Sequence, residues 1–373
     1  MNETNVTIEQ LETPYIMIDS VKMEHNLRKM ADGARERDVA LRPHIKTHKQ
    51  PELAKRQLEL GARGITAAKL AEAELMAAAG INDIFVAYPI IGKVKAERAA
   101  RLAASGLRLI VGVDSIEGAK MLSRAAEAHN ITLEIRLEIE TGLQRTGVDI
   151  DKAVLIAKTI ARMNSLKLTG IFTYKGAVLN GQSTTELRAA GHEEGQLMIA
   201  AADRLRAAGI AIDEVSVGST PTAMYAAEIA GITEVRPGTY IFQDRMQAEL
   251  GVSSLDECAA IVWATVISRP APDRIIIDGG SKTFATDIQP GKPPLHMKGF
   301  GHIVGDPDAV FERMNEEHGV IIIRPETTYA VGDRIMIIPN HICSTINLHN
   351  YVIVKQSDGQ LHKAAVAARG LLQ

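Results

Sequence analysis

The chain has 373 residues, with 42 Lys and Arg against 45 Asp and Glu for a formal charge of −3, and 46% of its residues are apolar. That length supports a large α/β domain with a smaller companion, and the balanced, dispersed charge excludes the basic footprint of a nucleic-acid or anionic-membrane binder. No apolar run approaches the ~20 residues that span a bilayer, residues 1–10 lack a secretory signal pattern, and two cysteines, Cys258 and Cys343, give no disulfide framework, so a cytoplasmic protein with a small-molecule partner is expected.

Helical character begins at 20–37 and returns at 69–79, 116–128, 151–163 and 184–208. Short β-rich runs fall between and beside these stretches, at 40–45, 64–67, 83–87, 108–113, 133–139, 168–173, 214–217 and 233–235. This alternation is the pattern of a parallel sheet wrapped by helices. Eight strand–helix units in about 220 residues match an α/β fold of the (β/α)8 TIM-barrel type, whose sites lie at the C-terminal ends of the strands. An open doubly wound sheet is the competing arrangement; the barrel is favoured because no Gly-x-Gly-x-x-Gly follows an early strand. After about residue 246 the texture changes to β-branched runs at 259–268, 274–278, 319–324, 334–338 and 351–355, broken by Gly, Pro and Asp turns. The expected organisation is a barrel over 20–245 and a β-rich domain over 246–373, which residues 1–19 can join through a strand at 15–19.

Candidate chemistry clusters at the strand ends. Lys46 follows the first strand in Arg42-Pro43-His44-Ile45-Lys46-Thr47-His48-Lys49. An amine near cationic neighbours and partly desolvated loses pKa, which suits imine formation with an aldehyde cofactor; His48 is a second catalytic candidate in the same run. After the fifth strand, Glu140-Thr141-Gly142-Leu143-Gln144-Arg145-Thr146-Gly147 presents one arginine between glycines, a turn that can offer Arg145 to an anionic oxygen. Tyr174, after the sixth strand, offers a phenol. Gly218-Ser219-Thr220-Pro221-Thr222 gathers backbone N–H groups and hydroxyls at the expected start of a helix, a phosphate cradle or an ordinary helix cap. Arg236-Pro237-Gly238-Thr239-Tyr240 follows the eighth strand, where barrels often bind phosphate.

In the second domain, Pro339-Asn340-His341-Ile342-Cys343 spaces an imidazole and a thiol two residues apart. On an extended segment both point to one side, and the pair suits a divalent metal with positions left open for water or substrate. His349 and Asp287 are possible additional ligands.

Together these segments resemble the fold-type III pyridoxal-phosphate (PLP) enzymes, and within them the D-threonine aldolase/D-serine dehydratase family, over nearly the whole chain. Pro43-His44-Ile45-Lys46-Thr47-His48-Lys49 is similar to that family's cofactor-lysine motif, so the resemblance makes Lys46 the Schiff-base lysine. It gives Arg145 to the cofactor's phenolic oxygen and Gly218, Ser219 and Thr220 to its phosphate. Arg236, Gly238 and Tyr240 fall near the phosphate or the pyridine nitrogen, and Tyr174 joins the cofactor site. His341 and Cys343 match a divalent-metal pair (Zn, Mn or Mg) that is His-x-Cys in dehydratases and His-x-Asp in aldolases. The implied activity is a PLP- and metal-dependent lyase of D-3-hydroxy amino acids. The His-x-Cys form leans to dehydration of D-serine, D-threonine or 3-hydroxy-D-aspartate, with retro-aldol cleavage as the alternative, and an amino-acid racemase or a non-catalytic PLP carrier as remoter readings. The resemblance also implies a homodimer. One departure is visible: family members often carry a His after the Tyr-x-Gly segment, whereas this chain reads Tyr174-Lys175-Gly176-Ala177.

Overall fold

The computed structural model describes residues 4–373. Two compact units emerge, and neither is a single continuous length of chain. One comprises residues 30–46, 51–238 and 371–373; the other comprises residues up to 29, 47–50 and 239–370.

The first unit is the expected barrel. Its strands, β1 to β8 in chain order, are Ala40–Leu41, Ile65–Ala67, Asp83–Val86, Arg108–Val113, Leu133–Glu138, Leu166–Phe172, Glu214–Val217 and Glu234–Val235. All eight expected strands are present, and neighbours are parallel in the order β1-β8-β7-β6-β5-β4-β3-β2. A parallel bridge between His44 and Thr66, with the Thr66 N–H donating to Pro43 at 2.8 Å, joins the two ends of this order into a ring. Most strand positions are apolar because helices cover one face and the barrel fills the other; Ile65, Ile84, Val86, Val111, Ile135, Leu137, Ile171, Val215 and Val217 are all completely buried. β1 is shorter than the sequence suggests, since a 3-10 turn, Ile45–Thr47, takes over the last residues of the expected strand.

The barrel interior is not purely apolar. Glu234 on β8 accepts Arg42 Nε at 2.7 Å, Arg136 Nη1 at 2.5 Å and Ser216 Oγ at 2.7 Å. Two guanidiniums around one carboxylate outweigh the cost of burial, and the Glu234 carboxyl is held far below its ordinary range. Arg236 Nη1 continues the network onto Ser216 Oγ at 2.5 Å. Its guanidinium lies 5.7 Å from the Phe85 ring and 5.4 Å from the Phe172 ring, in cation–π range. Burial pushes its pKa down to about 10.

The second unit is built on one large, mainly antiparallel sheet. It runs from Thr4–Val6 through Leu361–Ala365, Tyr351–Lys355, Tyr15–Asp19, Ala260–Ala271, Arg274–Ile277 and Gly319–Ile322 to Val310–Met314. Arg334–Pro339 also pairs with the long strand Ala260–Ala271 and carries Gly301–Ile303 on its other side. The run at 15–19 is a strand of this sheet, paired with both Ala260–Ala271 and Tyr351–Lys355. Alternate residues of Ala260–Val266 are fully buried, the period-2 signature of a sheet with one face packed and one partly wet. Among the described residues no helix is long and apolar enough to cross a membrane.

Candidate active site

In the barrel unit, three residues brought from the ends of β1, β5 and β6 meet. Lys46 Nζ lies 5.3 Å from the centre of the Tyr174 ring, and Arg145 Cζ lies 5.0 Å from the same ring. Both are within cation–π reach, so one phenol faces both an amine and a guanidinium. Lys46 is half-buried and Arg145 exposed. The loop that presents Arg145 is organised by Glu140: its carboxylate accepts the Gly142 N–H and, at 3.3 Å, the Arg145 N–H. Gly147 closes the loop at φ +104°, where an added Cβ would stand 2.8 Å from the Glu140 nitrogen, so only glycine fits. Beneath this loop Glu138 ends β5, accepting Thr146 Oγ1 at 2.9 Å with one oxygen and leaving the other buried without a partner among the described residues. Burial raises its pKa.

The hydroxyl-rich loop after β7 departs from the expected cradle in two respects. Its helix, Ala223–Ala226, is a single turn, so the loop offers no long helix dipole to an anion. The Gly218 N–H, expected to face outward, donates to Glu194 Oε1 at 3.0 Å. Glu194 was invisible to motif reading. It sits within Leu187–Ala207, and its other oxygen accepts Thr222 Oγ1 at 3.0 Å. Ser219 Oγ contacts Thr222 Oγ1 at 2.9 Å. Of the Arg-Pro-Gly-Thr-Tyr run, Arg236 turns into the barrel as described, and the Pro237 carbonyl preceding Gly238 accepts the His44 N–H at 2.9 Å. Tyr240 is buried in the turn Thr239–Ile241 of the β-rich unit. Tyr174 is followed by Lys175, whose fully buried ammonium pairs with Glu193; Glu193 also accepts the Asn180 N–H at 3.2 Å, tying down the short hairpin that starts beyond Ala177.

The donor set fits PLP. A half-buried amine suits its aldehyde and a guanidinium its phenolic oxygen, while a turn with two hydroxyls suits a phosphate.

In the β-rich unit, His341 and Cys343 do meet, though not on an extended segment. Pro339 ends its strand, His341 is the extended N-cap at φ −138°, ψ 106°, and the short helix Ile342–Ile346 begins immediately after it, so the turn from cap into helix, and not strand alternation, sets the two side chains. The His341 imidazole and the Cys343 thiol act on each other through charge. Asp244 fixes the turn: it accepts the Ile342 N–H at 3.0 Å and the Gln247 N–H at 2.9 Å, and burial pushes its pKa up to about 6. Asp287 Oδ2 lies 2.5 Å from His341 Nδ1 and accepts Ser344 Oγ at 3.0 Å. It therefore orients the imidazole from behind, and His349 is likewise engaged elsewhere, on the Thr283 carbonyl at 3.1 Å. Cys343 Sγ has hydroxyls of Thr47 and Thr239 at 3.1 and 3.3 Å. Burial works to raise the Cys343 pKa, but the His341 imidazolium outweighs it and holds the thiol below its usual value. For His341 burial is likewise outweighed, by Cys343 and Asp287, and its pKa is raised. His48 is fully buried in this unit, with Nδ1 accepting the Gln50 N–H at 3.1 Å.

Imidazole plus thiolate is a borderline-soft pair suited to zinc or a similar divalent ion. Among the described residues no group of three or more His, Cys, Asp or Glu side chains is arranged to hold a metal alone. Two protein donors would leave coordination positions open.

Comparison with known proteins finds relatives along most of the chain. Residues 18–246 match the family "Alanine racemase, N-terminal domain", and residues 259–355 match "Putative serine dehydratase domain". The chain is 33% identical to the D-threonine aldolase of an Arthrobacter species, over 97% of this chain and 94% of that one. It is also 33% identical to the D-threo-3-hydroxyaspartate dehydratase of Delftia sp. strain HT23, over 91% and 93%. A structure of that dehydratase in metal-free form, with one cysteine replaced by alanine, superposes with a TM-score of 0.88 at 32% identity over 96% of this chain and 98% of that one. A D-threonine aldolase from Filomicrobium marinum gives a TM-score of 0.87 at 28% identity over 99% of both chains.

Proposed function

Since the chain belongs to the family that joins an alanine racemase N-terminal domain to a serine dehydratase domain, a family of PLP-dependent enzymes, we propose that it is a lyase that removes water from D-3-hydroxy amino acids. The barrel unit would carry PLP and the β-rich unit a divalent metal. The His341–Cys343 pair carries this reading. Solved structures of D-threo-3-hydroxyaspartate dehydratase include variants of a histidine and of a cysteine two residues beyond it, the cysteine variant in a metal-free form.

When bound, PLP withdraws electrons from the substrate Cα, and a divalent ion acts as a Lewis acid toward a β-hydroxyl. The chain supplies the rest. Lys46 anchors the cofactor and then, with its amine free, takes the proton from Cα. Arg145 offers its guanidinium to the phenolic oxygen. The Ser219–Thr222 loop anchors the phosphate. His341 and Cys343 hold the metal, with Asp287 fixing the imidazole so that its other nitrogen is the ligand. Thiolate favours zinc among the candidate ions.

Retro-aldol cleavage is the second reading, favoured by the Arthrobacter and Filomicrobium aldolases. Incubation of the purified protein with D-serine, D-threonine and 3-hydroxy-D-aspartate separates the two. A 2-oxo acid with ammonia supports dehydration, and glycine with an aldehyde replaces it by cleavage. Lys46→Ala should abolish both turnover and the visible absorbance of bound cofactor; a variant that kept the absorbance would overturn the cofactor assignment.

A further inference from the structure

The long helix Leu187–Ala207 carries the sequence Gly191-His192-Glu193-Glu194-Gly195. Glycine inside a helix is unfavourable relative to alanine, so two of them four apart ask for a packing reason. The reason is contact with the segment 222–229. A Cβ on Gly191 would stand 2.7 Å from Tyr225 Cβ and 2.9 Å from the Thr222 carbonyl oxygen, and one on Gly195 would stand 2.7 Å from Ile229 Cγ1. That close approach delivers Glu194, fully buried, to the loop after β7, where its two oxygens take the Gly218 N–H and Thr222 Oγ1, both at 3.0 Å.

Counting protons along this chain of groups gives it a direction. Thr222 Oγ1 has one hydrogen and two lone pairs; its partners are Glu194 Oε2, Ser219 Oγ at 2.9 Å and the Ser219 N–H at 3.4 Å. If Glu194 is ionised it can only accept, so Thr222 must donate to it and Ser219 must donate to Thr222. Ser219 then has only lone pairs to show an incoming anion. If Glu194 is protonated the order reverses: Glu194 donates to Thr222, Thr222 donates to Ser219, and the Ser219 hydrogen is released outward. A phosphate dianion accepts hydrogen bonds and gives none.

We propose that Glu194 is a positioning residue for the cofactor phosphate that takes up one proton when the phosphate binds, turning the Ser219 hydroxyl from acceptor to donor. The uptake balances as a single relay. One proton from water joins Ser219 Oγ, the Ser219 proton passes to Thr222 Oγ1, and the Thr222 proton passes to Glu194 Oε2. The cations that bear on Glu194 are Arg236, beyond β8, and Lys175, beyond β6, the latter already paired with Glu193. On the packed segment 222–229 the titratable groups are Tyr225 and Glu228, and Glu228 is paired with Arg188 and His192. Burial is the largest influence on the Glu194 pKa and raises it, in the direction the relay needs.

This inference rests on the Ser219–Thr222 loop being the phosphate site. Its test is calorimetric titration of the apoprotein with PLP and with pyridoxal, each in two buffers of different ionisation heat, at a pH where the phosphate is a dianion. Pyridoxal forms the same bond to Lys46 without a phosphate, so the difference between the two ligands isolates the loop. The expected result is about one extra proton taken up with PLP, and an affinity that falls about tenfold per pH unit above the free-state Glu194 pKa. In Glu194→Gln the amide oxygen must face the Gly218 N–H, leaving the amide N–H₂ to donate to Thr222 as a protonated Glu194 would. That variant should bind PLP with no extra uptake and no such pH dependence. Equal proton uptake by PLP and pyridoxal in the wild type, with PLP still the tighter ligand, would overturn the relay alone. Equal affinity for the two ligands would overturn the phosphate site, and the relay with it. Ser219→Ala, which leaves Glu194 in place, should weaken PLP and remove its pH dependence; an unchanged pH dependence would also sink the relay.

Discussion

Glu234 in the barrel, fully buried, and His341 in the β-rich unit, partly exposed, are both ionisable groups held by charged neighbours, but they are satisfied differently. The four acceptor sites of Glu234 are all occupied, by Arg136 twice, by Arg42 and by Ser216, at 2.5 to 3.5 Å. No lone pair is left for a ligand. His341 is held on one nitrogen by Asp287 and interacts through charge with the Cys343 thiol, an interaction that a metal ion can replace. A closed network holds the fold together, whereas one with an exchangeable partner can bind something. The count of unfilled donor and acceptor positions is what separates a structural network from a binding one.

The comparison predicts its largest effect at Glu234. Removing one partner from a buried ion network strands the others, at a cost of about 3–5 kcal/mol. Glu234→Ala should lose that much in urea denaturation, and a loss under about 1 kcal/mol would erase the distinction between the two sites. Acid should act in the same way. The folded pKa of Glu234 lies below the unfolded value of about 4.3, so its stabilisation is complete above that value and drains away as pH falls toward the folded one. Wild type should therefore lose stability below about pH 4 more steeply than Glu234→Gln.

A smaller effect is expected where the partner only orients. Asp287→Asn keeps the hydrogen bond to His341 but removes the carboxylate behind the imidazole, and such changes typically lower metal affinity by about 10–100-fold. Competition with a chelating dye measures this. The fold should be unaffected, because Asp287 is partly exposed and its side chain bonds to His341 and Ser344 within one short segment. Unchanged metal affinity would place the metal elsewhere.

Much of this was readable from the chain. Local features carried the strands, because hydrophobic runs and their turns are short-range, and all eight barrel strands lie where the pattern put them. Glu140-Thr141-Gly142 through Gly147 was legible because its glycines and its arginine are contiguous. The His341–Cys343 pair was legible for a reason that did not hold: the two side chains meet across a helix start and not along a strand. The interior network was not legible, since Arg42, Arg136 and Glu234 become neighbours only when the barrel closes. Glu194 escaped for the same reason, lying 24 residues before the Gly218 it supports. Two glycines around a glutamate in a helical run were the available signal, and they report close packing without saying against what.

The smallest predicted effect concerns the two cysteines. Both are buried, yet Cys258 has its thiol pushed up to about 12 by burial and by the negative charge of Asp244, whereas the Cys343 thiol is held below its ordinary value by His341. The thiolate is the form that binds metals and reacts with alkylating reagents. Metal-free protein treated with iodoacetamide near neutral pH should therefore be modified at Cys343 and not at Cys258, as peptide mass mapping would show. Cys258→Ala should leave metal affinity within about twofold of wild type, as expected for a site outside the ligand network. A cysteine that moved metal affinity from that position would mean that the sulfur donor had been assigned to the wrong side of the comparison.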